Sequence, residues 1–146
     1  MLLNYRIHNF IFICSAFILI SCAEKEEKPE VTAVKFLEAI YVHRDIQEAI
    51  ALTENPLKRE LERNISITAA QYNVLHLSMD TVKKIRIVNV NLDFFRNNKK
   101  DVEATYMIEG IYNNRNFTDV IKMEMALINA EWKIIDIIPD KFMTNG

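Results

Sequence analysis

The spacing of apolar residues changes once along the chain, and this change constrains the fold more than any other feature. Between Pro29 and about Ile65, apolar residues recur every three to four positions, as they do on one face of a helix. After Thr81 they alternate with polar residues, as they do in a half-buried strand. Helices followed by strands predict an α+β domain whose N-terminal helices pack on one antiparallel sheet of about four strands.

Three helices are predicted before the sheet. The first covers about Pro29 to Val42, and Asp45 is expected to cap the second, with Glu48 three residues later as in a capping box. Asn55-Pro56 is expected to begin the third helix, with the asparagine as cap and the proline in the first helical position. The segment 67–80 fits either a helix ending or an ordered loop.

A break in the alternation predicts an irregularity in the first strand. Val88 and Val90 follow one phase, whereas Ile85 and Ile87 follow the opposite phase, so we expect a β-bulge near Ile87-Val88. Polar turns are expected between the strands, because asparagine tolerates positive φ. The predicted turns are Arg96–Lys100, Asn113–Asn116 and Asn129-Ala130, and the last strand begins at Trp132.

The first 22 residues predict where the protein is located. Arg6 gives a weakly positive start, and Phe10–Ile20 is apolar except for Ser15. This apolar run is too short to cross the ~30 Å hydrocarbon core of a membrane as a lone helix. Ser21 and Cys22 end the run, and a charged segment follows at once.

The residues Leu19-Ile20-Ser21-Cys22 resemble the lipobox of a bacterial lipoprotein signal. The resemblance implies cleavage before Cys22 and acylation of its thiol with lipid chains such as palmitate, which would anchor the protein in the cell envelope. Residues 1–21 would then be the signal peptide, 22–30 the lipidated cysteine and charged tether, and 31–146 the domain. The resemblance also favours the outer membrane, because an aspartate after the lipidated cysteine retains many such proteins in the inner membrane, and here Ala23 follows Cys22. The alternatives are an ordinary secretory signal, in which Cys22 is incidental, or an uncleaved anchor.

The composition argues against several classes of function. The formal net charge is −2, which does not favour nucleic-acid binding. Glycine occurs twice, too rarely for glycine-rich nucleotide loops. Cysteine occurs twice, as Cys14 in the leader and as Cys22, so the mature domain would hold no disulfide. No cofactor is expected.

A second resemblance covers nearly the whole mature domain. Phe36–Ile40, Asp45, Ala49, Asp101–Ala104 and Glu131–Ile134 look like the uncharacterised lipoprotein branch of the nuclear-transport-factor-2-like superfamily. The resemblance implies a curved sheet wrapped around a long first helix, a cone-shaped roll that often leaves a conical cavity. Its motifs are packing motifs, so it says more about fold than about function.

Enzymes of this superfamily place an acid, a histidine or a tyrosine inside the cone. The candidates by type are Tyr41, His43, Asp45, His76, Asp93 and Tyr106. Most of the acids fall on polar strand phases or at helix ends, so we expect no catalytic residue and no enzyme activity. The three histidines, of which His8 lies in the leader, have no ligand-like spacing, so no metal site is expected.

Aromatic residues are the remaining candidates for a binding site. Those that could line a ligand cavity are Tyr41, Tyr72, Phe94, Tyr106 and Trp132. The alternative is that they fill the core. The expected function is a membrane-anchored, non-enzymatic lipoprotein that binds a partner protein, or a second copy of itself, through its sheet. The alternatives are a small-molecule carrier or sensor with its ligand in the cone, and an isomerase- or dehydratase-type enzyme.

Overall fold

A computed structural model describes residues 27–92 and 101–138. In these two ranges, helical segments come first and four strands follow. The helices are α1 (Pro29–Glu38), α2 (Ile46–Ala51), α3 (Leu57–Arg63) and α4 (Ile67–Ala69), with π-helical turns Ala39–His43 after α1 and Ala70–Val74 after α4. The strands are β1 (Thr81–Leu92), β2 (Asp101–Tyr112), β3 (Arg115–Ile128) and β4 (Glu131–Ile138).

The strands form one antiparallel sheet in the order β1-β2-β3-β4, a meander in which each strand pairs with its neighbour in sequence. The predicted α+β class, with N-terminal helices on an antiparallel sheet of four strands, is therefore confirmed. A register shift between Ile87 and Asn89 places a bulge where the change of phase predicted one. A second shift, between Val82 and Lys84, was not predicted.

Helix α1 packs its apolar stripe on the sheet. Pro29 lies in the first turn, where its missing N–H costs no hydrogen bond. Ala33, Phe36 and Leu37 recur at helical spacing and are fully buried, as is Ile40 in the π-helical turn that follows. The helix therefore forms the centre of the core beneath the strands.

The boundary between α1 and α2 follows the prediction. Arg44 adopts a left-handed conformation with φ 56°, which ends the first helical segment. Asp45 then caps α2, because its carboxylate accepts hydrogen bonds from the backbone N–H groups of Gln47, at 2.9 Å, and Glu48, at 3.1 Å.

The third helix begins one residue later than predicted. Pro56 occupies the cap position without a side-chain cap, and Leu57 is the first helical residue. The predicted cap was wrong: Asn55 lies one position before the cap, and its side-chain amide donates to the carboxylate of Glu54. The helix ends at Arg63, so Ile65 lies beyond it and is exposed.

One face of the sheet is buried under the helices, and the other carries both charged and apolar side chains, the latter including Met107, Val120 and Ile128. The buried phase of β2 and β3 contains Val102, Ala104, Tyr106, Ile108, Ile121, Met123 and Met125. The opposite face carries ion pairs, which join Lys122 to Glu103 at 2.7 Å and Arg86 to Glu109. These charged groups keep that face in water.

Two tight turns connect the last three strands. Asn113 and Asn114 have φ of 49° and 60°, and Asn129 and Ala130 have φ of 51° and 66°. Two successive residues with positive φ form the turn type that matches the twist of a hairpin. The predicted turn Arg96–Lys100 lies outside the described residues.

Strand β4 is tied to the helical layer through its backbone. Thr53 forms an isolated bridge with Ile134. The Glu54 N–H donates to the Ile134 carbonyl, and the Ile134 N–H donates to the Leu52 carbonyl, both at 3.0 Å. This edge of the sheet is therefore partly covered. In residues 27–92 and 101–138, no helix has both the length and the apolar character to cross a membrane.

Candidate functional site

A pocket of about 500 Å3 lies between the segment that follows α4 and the far end of the β2–β3 hairpin. Its helical wall includes Tyr72, His76 and Leu77, and its hairpin wall includes Tyr112, Phe117 and Asp119. Asn73 and Ser78 complete the lining that the structure describes. Ligand sites typically measure roughly 300–1,000 Å3, so the volume is that of a site for a small molecule.

The hairpin wall follows from strand alternation. Asp119 pairs with Ile108 and Phe117 pairs with Gly110, so both project from the face of the sheet that the helices cover. This face is buried as far as Ile121 and becomes partly accessible at Asp119. The pocket therefore lies at the end of the core, where the helices no longer cover the strands.

Gly110 allows the segment that follows the pocket wall to pass close to the sheet. A Cβ atom at this position would lie 2.2 Å from the Thr81 carbonyl oxygen and 2.9 Å from the Met79 Sδ. No side chain larger than hydrogen fits without a backbone shift. Glycine at this position therefore permits the close approach of Met79 and Thr81 to β2.

The helical wall is held by hydrogen bonds from buried groups. The Tyr41 hydroxyl donates to the Leu77 carbonyl at 2.7 Å. The Leu77 N–H donates to the Gln71 carbonyl at 3.0 Å, and the Met79 N–H donates to the Gln71 side-chain oxygen at 3.3 Å. These three bonds fix the backbone that leaves the π-helical turn.

Asp80 joins the two walls. Its N–H donates to the Ile111 carbonyl at 2.9 Å, and its carboxylate accepts the Asn113 N–H at 2.8 Å. The second bond satisfies a backbone donor in the tight turn of the hairpin. These hydrogen bonds hold both walls of the pocket in place. A ligand would therefore lose little binding free energy in ordering them.

Three aromatic rings stand exposed around the pocket. Tyr72 is 72% exposed, Tyr112 39% and Phe117 38%. The rings of Tyr112 and Phe117 are 6.2 Å apart at their centroids and tilted by 57°. A single exposed apolar residue is ordinary, but several around one concavity are typical of a binding surface.

Asp119 places a carboxylate in the pocket. Its Oδ1 accepts the N–H of the next residue, Val120, at 2.7 Å. No lysine or arginine of the described residues forms an ion pair with it. Burial, together with the negative charge of Asp119, raises the pKa of Tyr41 well above its ordinary value. Tyr41 therefore stays protonated and donates to Leu77.

The aromatic residues that the sequence proposed as pocket lining lie in different places. Tyr72 is on the rim of the pocket, and Tyr41 is buried behind the helical wall. Tyr106 lies in the core, where burial and Glu30 raise its pKa. Trp132 is half-buried against the core, opposite Leu127.

Two of the proposed site residues, Phe94 and Cys22, lie outside the described residues, as does the acid Asp93. Of the other acid–base candidates, Asp45 is engaged as a helix cap. His43 is exposed, and its pKa is raised by the hydrogen bond between its Nδ1 and the Glu48 carboxylate, at 2.8 Å.

His76 is the acid–base candidate that lines the pocket. It is exposed and has a positive φ of 52°. Within residues 27–92 and 101–138, no hydrogen bond joins His76 to Asp119. In the same ranges, no group of three or more His, Cys, Asp or Glu side chains is arranged to hold a metal ion.

The sequence analysis missed the hairpin wall of the pocket. Tyr112, Phe117 and Asp119 were not among its candidates. A signal for Asp119 was present, because counting back by two from Met123 and Ile121 puts a carboxylate on the apolar phase of β3. The position of Tyr72 beside these residues depends on where the helical segment ends, which the sequence left open.

Comparisons with known proteins leave the family open. No family model matches the chain, and no curated protein matches it. Among solved structures, the chain is similar to the crystal structure of the intermembrane space region of the chloroplast protein ARC6, with 18% sequence identity and a TM-score of 0.42. The match covers 73% of this chain and 85% of that chain. At this level of similarity, function has to be inferred from the pocket's own residues.

Proposed function

We propose that the chain is a non-enzymatic, lipid-anchored binding protein of the bacterial cell envelope that holds a small ligand between Tyr72 and Phe117. The observation that supports binding is the cluster of three exposed aromatic rings around a pocket of about 500 Å3 whose walls are held by hydrogen bonds. Exposing such rings to water is unfavourable, and a ligand that covers them recovers that free energy.

The outer face of the sheet is less suited to binding. A partner that docks there would have to desolvate ion pairs such as Lys122–Glu103 and Arg86–Glu109. The cost of desolvating these ion pairs favours the small-molecule alternative over association through the sheet face.

A partner protein is the second candidate, through β1, which pairs on one side only among the described strands. Ile87 and Val88 are 48% and 55% exposed at the bulge of β1. However, Lys83, Lys84 and Arg86 lie on the same strand. Bulges and basic residues are features that discourage strand addition at an edge. We therefore rank this surface below the pocket.

The arrangement of acid–base groups supports a role without catalysis. The Tyr41 hydroxyl is committed to the Leu77 carbonyl, and burial raises its pKa. A general base is tuned by burial or by a neighbouring charged group. His76 and Asp119 share the pocket without a hydrogen bond between them in the described part of the chain.

The anchor is proposed from the lipobox at Leu19–Cys22 and from the charged segment that follows it. Helix α1 begins at Pro29, so the chain from Cys22 to the domain could span at most about 25 Å when extended. Two or three acyl chains would retain such a protein stably at a membrane. We propose the outer membrane and the nuclear-transport-factor-2-like family on the resemblances alone.

The anchor is tested by mass spectrometry of the N-terminal peptide from the membrane fraction. We expect a peptide that begins at Cys22 and carries acyl chains. A peptide that begins at Met1, or an unmodified Cys22 thiol, would contradict the lipoprotein proposal.

The pocket is tested by native mass spectrometry of the full-length protein, extracted from its own host in a non-ionic detergent. We expect an additional non-covalent mass of a few hundred daltons, which the double variant Tyr72→Ala, Phe117→Ala loses. Val88→Ala is the matched control, because it removes an exposed apolar side chain from the edge strand instead. Loss of the mass in the control, or a co-purifying protein that Val88→Ala releases, would favour the second candidate.

A further inference from the structure

We propose that the pocket selects a small organic cation, a compound with an ammonium group and little other bulk. This inference rests on the proposed function and deepens it, because it names the chemistry of the ligand. Three features of the pocket support it: three exposed aromatic side chains, a carboxylate that forms no ion pair with a lysine or arginine of the described residues, and a described lining without lysine or arginine.

The rings provide the first part of the recognition. Aromatic faces carry partial negative charge and attract ammonium groups, most strongly when several rings surround one site. Tyr112 and Phe117 are tilted by 57° to each other rather than stacked in parallel, and each side chain remains more than a third exposed. Tyr72, on the opposite wall, provides a third ring.

The carboxylate of Asp119 provides the second part. It is half-buried, and its Oδ1 accepts only a backbone N–H among the described residues. A partly buried carboxylate has already lost part of its hydration. A bound cation compensates for this loss, so a carboxylate without a counter-ion favours a positively charged ligand.

Other ligand classes fit the lining less well. An anion would meet Asp119 and no Lys or Arg among the residues that the structure describes in the lining. A divalent metal ion takes several oxygen or nitrogen ligands, and the described residues hold no such cluster. A purely apolar ligand would leave the carboxylate desolvated and unpaired.

The position of the pocket favours a ligand that arrives from the aqueous phase. Tyr41, behind the pocket, lies twelve residues after Pro29 along the first helical segment, a rise of about 18 Å. The pocket is therefore near the C-terminal end of this segment, away from Pro29. We infer a free small molecule rather than the headgroup of a lipid in the anchoring membrane.

The test is calorimetric titration of the full-length protein, in a non-ionic detergent and about 50 mM salt to limit screening, with choline as the probe. The comparison ligand is dimethylbutanol, the uncharged isostere in which carbon replaces the nitrogen. We expect choline to bind with a dissociation constant of about 1 mM or tighter, and at least about tenfold more tightly than the isostere.

Asp119→Asn should abolish most of this preference. Asp136→Asn is the matched control, because the Asp136 carboxylate accepts the N–H of its next residue, Ile137, at 2.9 Å, as Asp119 does with Val120, but lies on β4 outside the pocket lining. Phe117→Leu keeps an apolar side chain and should weaken choline binding more than isostere binding. Circular dichroism confirms that each variant is folded.

Each contrary result has a distinct meaning. Equal binding of choline and the isostere, or an Asp119→Asn variant that keeps the preference, would overturn the cation proposal while leaving a ligand pocket intact. A blocked Gly-Lys-Gly peptide that binds more than tenfold tighter than choline would contradict the inference that the ligand is a free small molecule. If no cation binds but the native protein still carries a pocket-dependent mass, the cation proposal fails and the proposed function stands.

Discussion

Replacing Tyr41 with phenylalanine tests whether the pocket wall is held as described. The substitution removes one hydroxyl from a 5%-exposed side chain and leaves the Leu77 carbonyl without its 2.7 Å donor. A buried acceptor left unpaired costs about 1–3 kcal/mol. We therefore expect Tyr41→Phe to lower the free energy of unfolding by about 2 kcal/mol.

Tyr106→Phe is the matched control. Tyr106 is also buried, but its hydroxyl lies 3.5 Å from the Glu30 carbonyl, at the outer limit of a hydrogen bond. Losing such a weak bond should cost less than about 1 kcal/mol. The two variants remove the same atom, so the difference between them isolates the bond to Leu77.

Urea unfolding followed by the fluorescence of Trp132, the single tryptophan, measures both effects. With an m-value of about 2 kcal/mol/M, the midpoint for Tyr41→Phe should fall by roughly 1 M. Equal midpoints for the two variants, or a larger loss for Tyr106→Phe, would refute the assignment of Tyr41 as the residue that holds the wall.

Three further predictions concern positions outside the pocket. Asp45→Ala should lower the free energy of unfolding by about 1 kcal/mol, measured by urea unfolding, because two backbone N–H groups lose their cap; no change would contradict this role. Ala130→Gly should raise the thermal midpoint, because it relieves a left-handed φ of 66° that costs about 1 kcal/mol in a residue with a Cβ. By NMR, the His43 imidazole should titrate above its ordinary pKa of 6.5, and Glu48→Gln should lower that pKa. Because the folded-state pKa is the raised one, this pair stabilises the fold below pH 6.5, and its contribution is lost as the pH rises through the folded-state pKa.

Much of the fold could be predicted because its signals are local. Asp45 caps a helix through bonds to residues two and three positions away, which the sequence displays directly. The bulge at Ile87 follows from a change of phase within one strand. The buried phase from Val102 to Ile108 follows from alternation alone.

The prediction failed at one helix boundary. Asn55 was expected to cap α3, but the helix begins one residue later, with Pro56 at the cap position. The segment 67–80, for which the sequence left a helix ending or an ordered loop open, is helical as far as Val74. Leu75 and Met79 are buried while Tyr72 is exposed.

The candidate site was harder to predict because it depends on pairing between distant segments. Phe117 and Asp119 line the same pocket as His76. This placement depends on the register between β3 and β2 and on the bond from Asp80 to the turn of that hairpin. No local spacing encodes either contact. For Tyr106, the alternative prediction that aromatic residues fill the core is the one that holds.

The most direct test of the binding role is a crystal structure of the full-length protein extracted from its own host membranes. We predict non-protein density in the pocket, in contact with the rings of Tyr72 and Phe117 and within reach of the Asp119 carboxylate. A pocket that contains only water, with a bound molecule or a partner chain at Ile87 and Val88 instead, would contradict it.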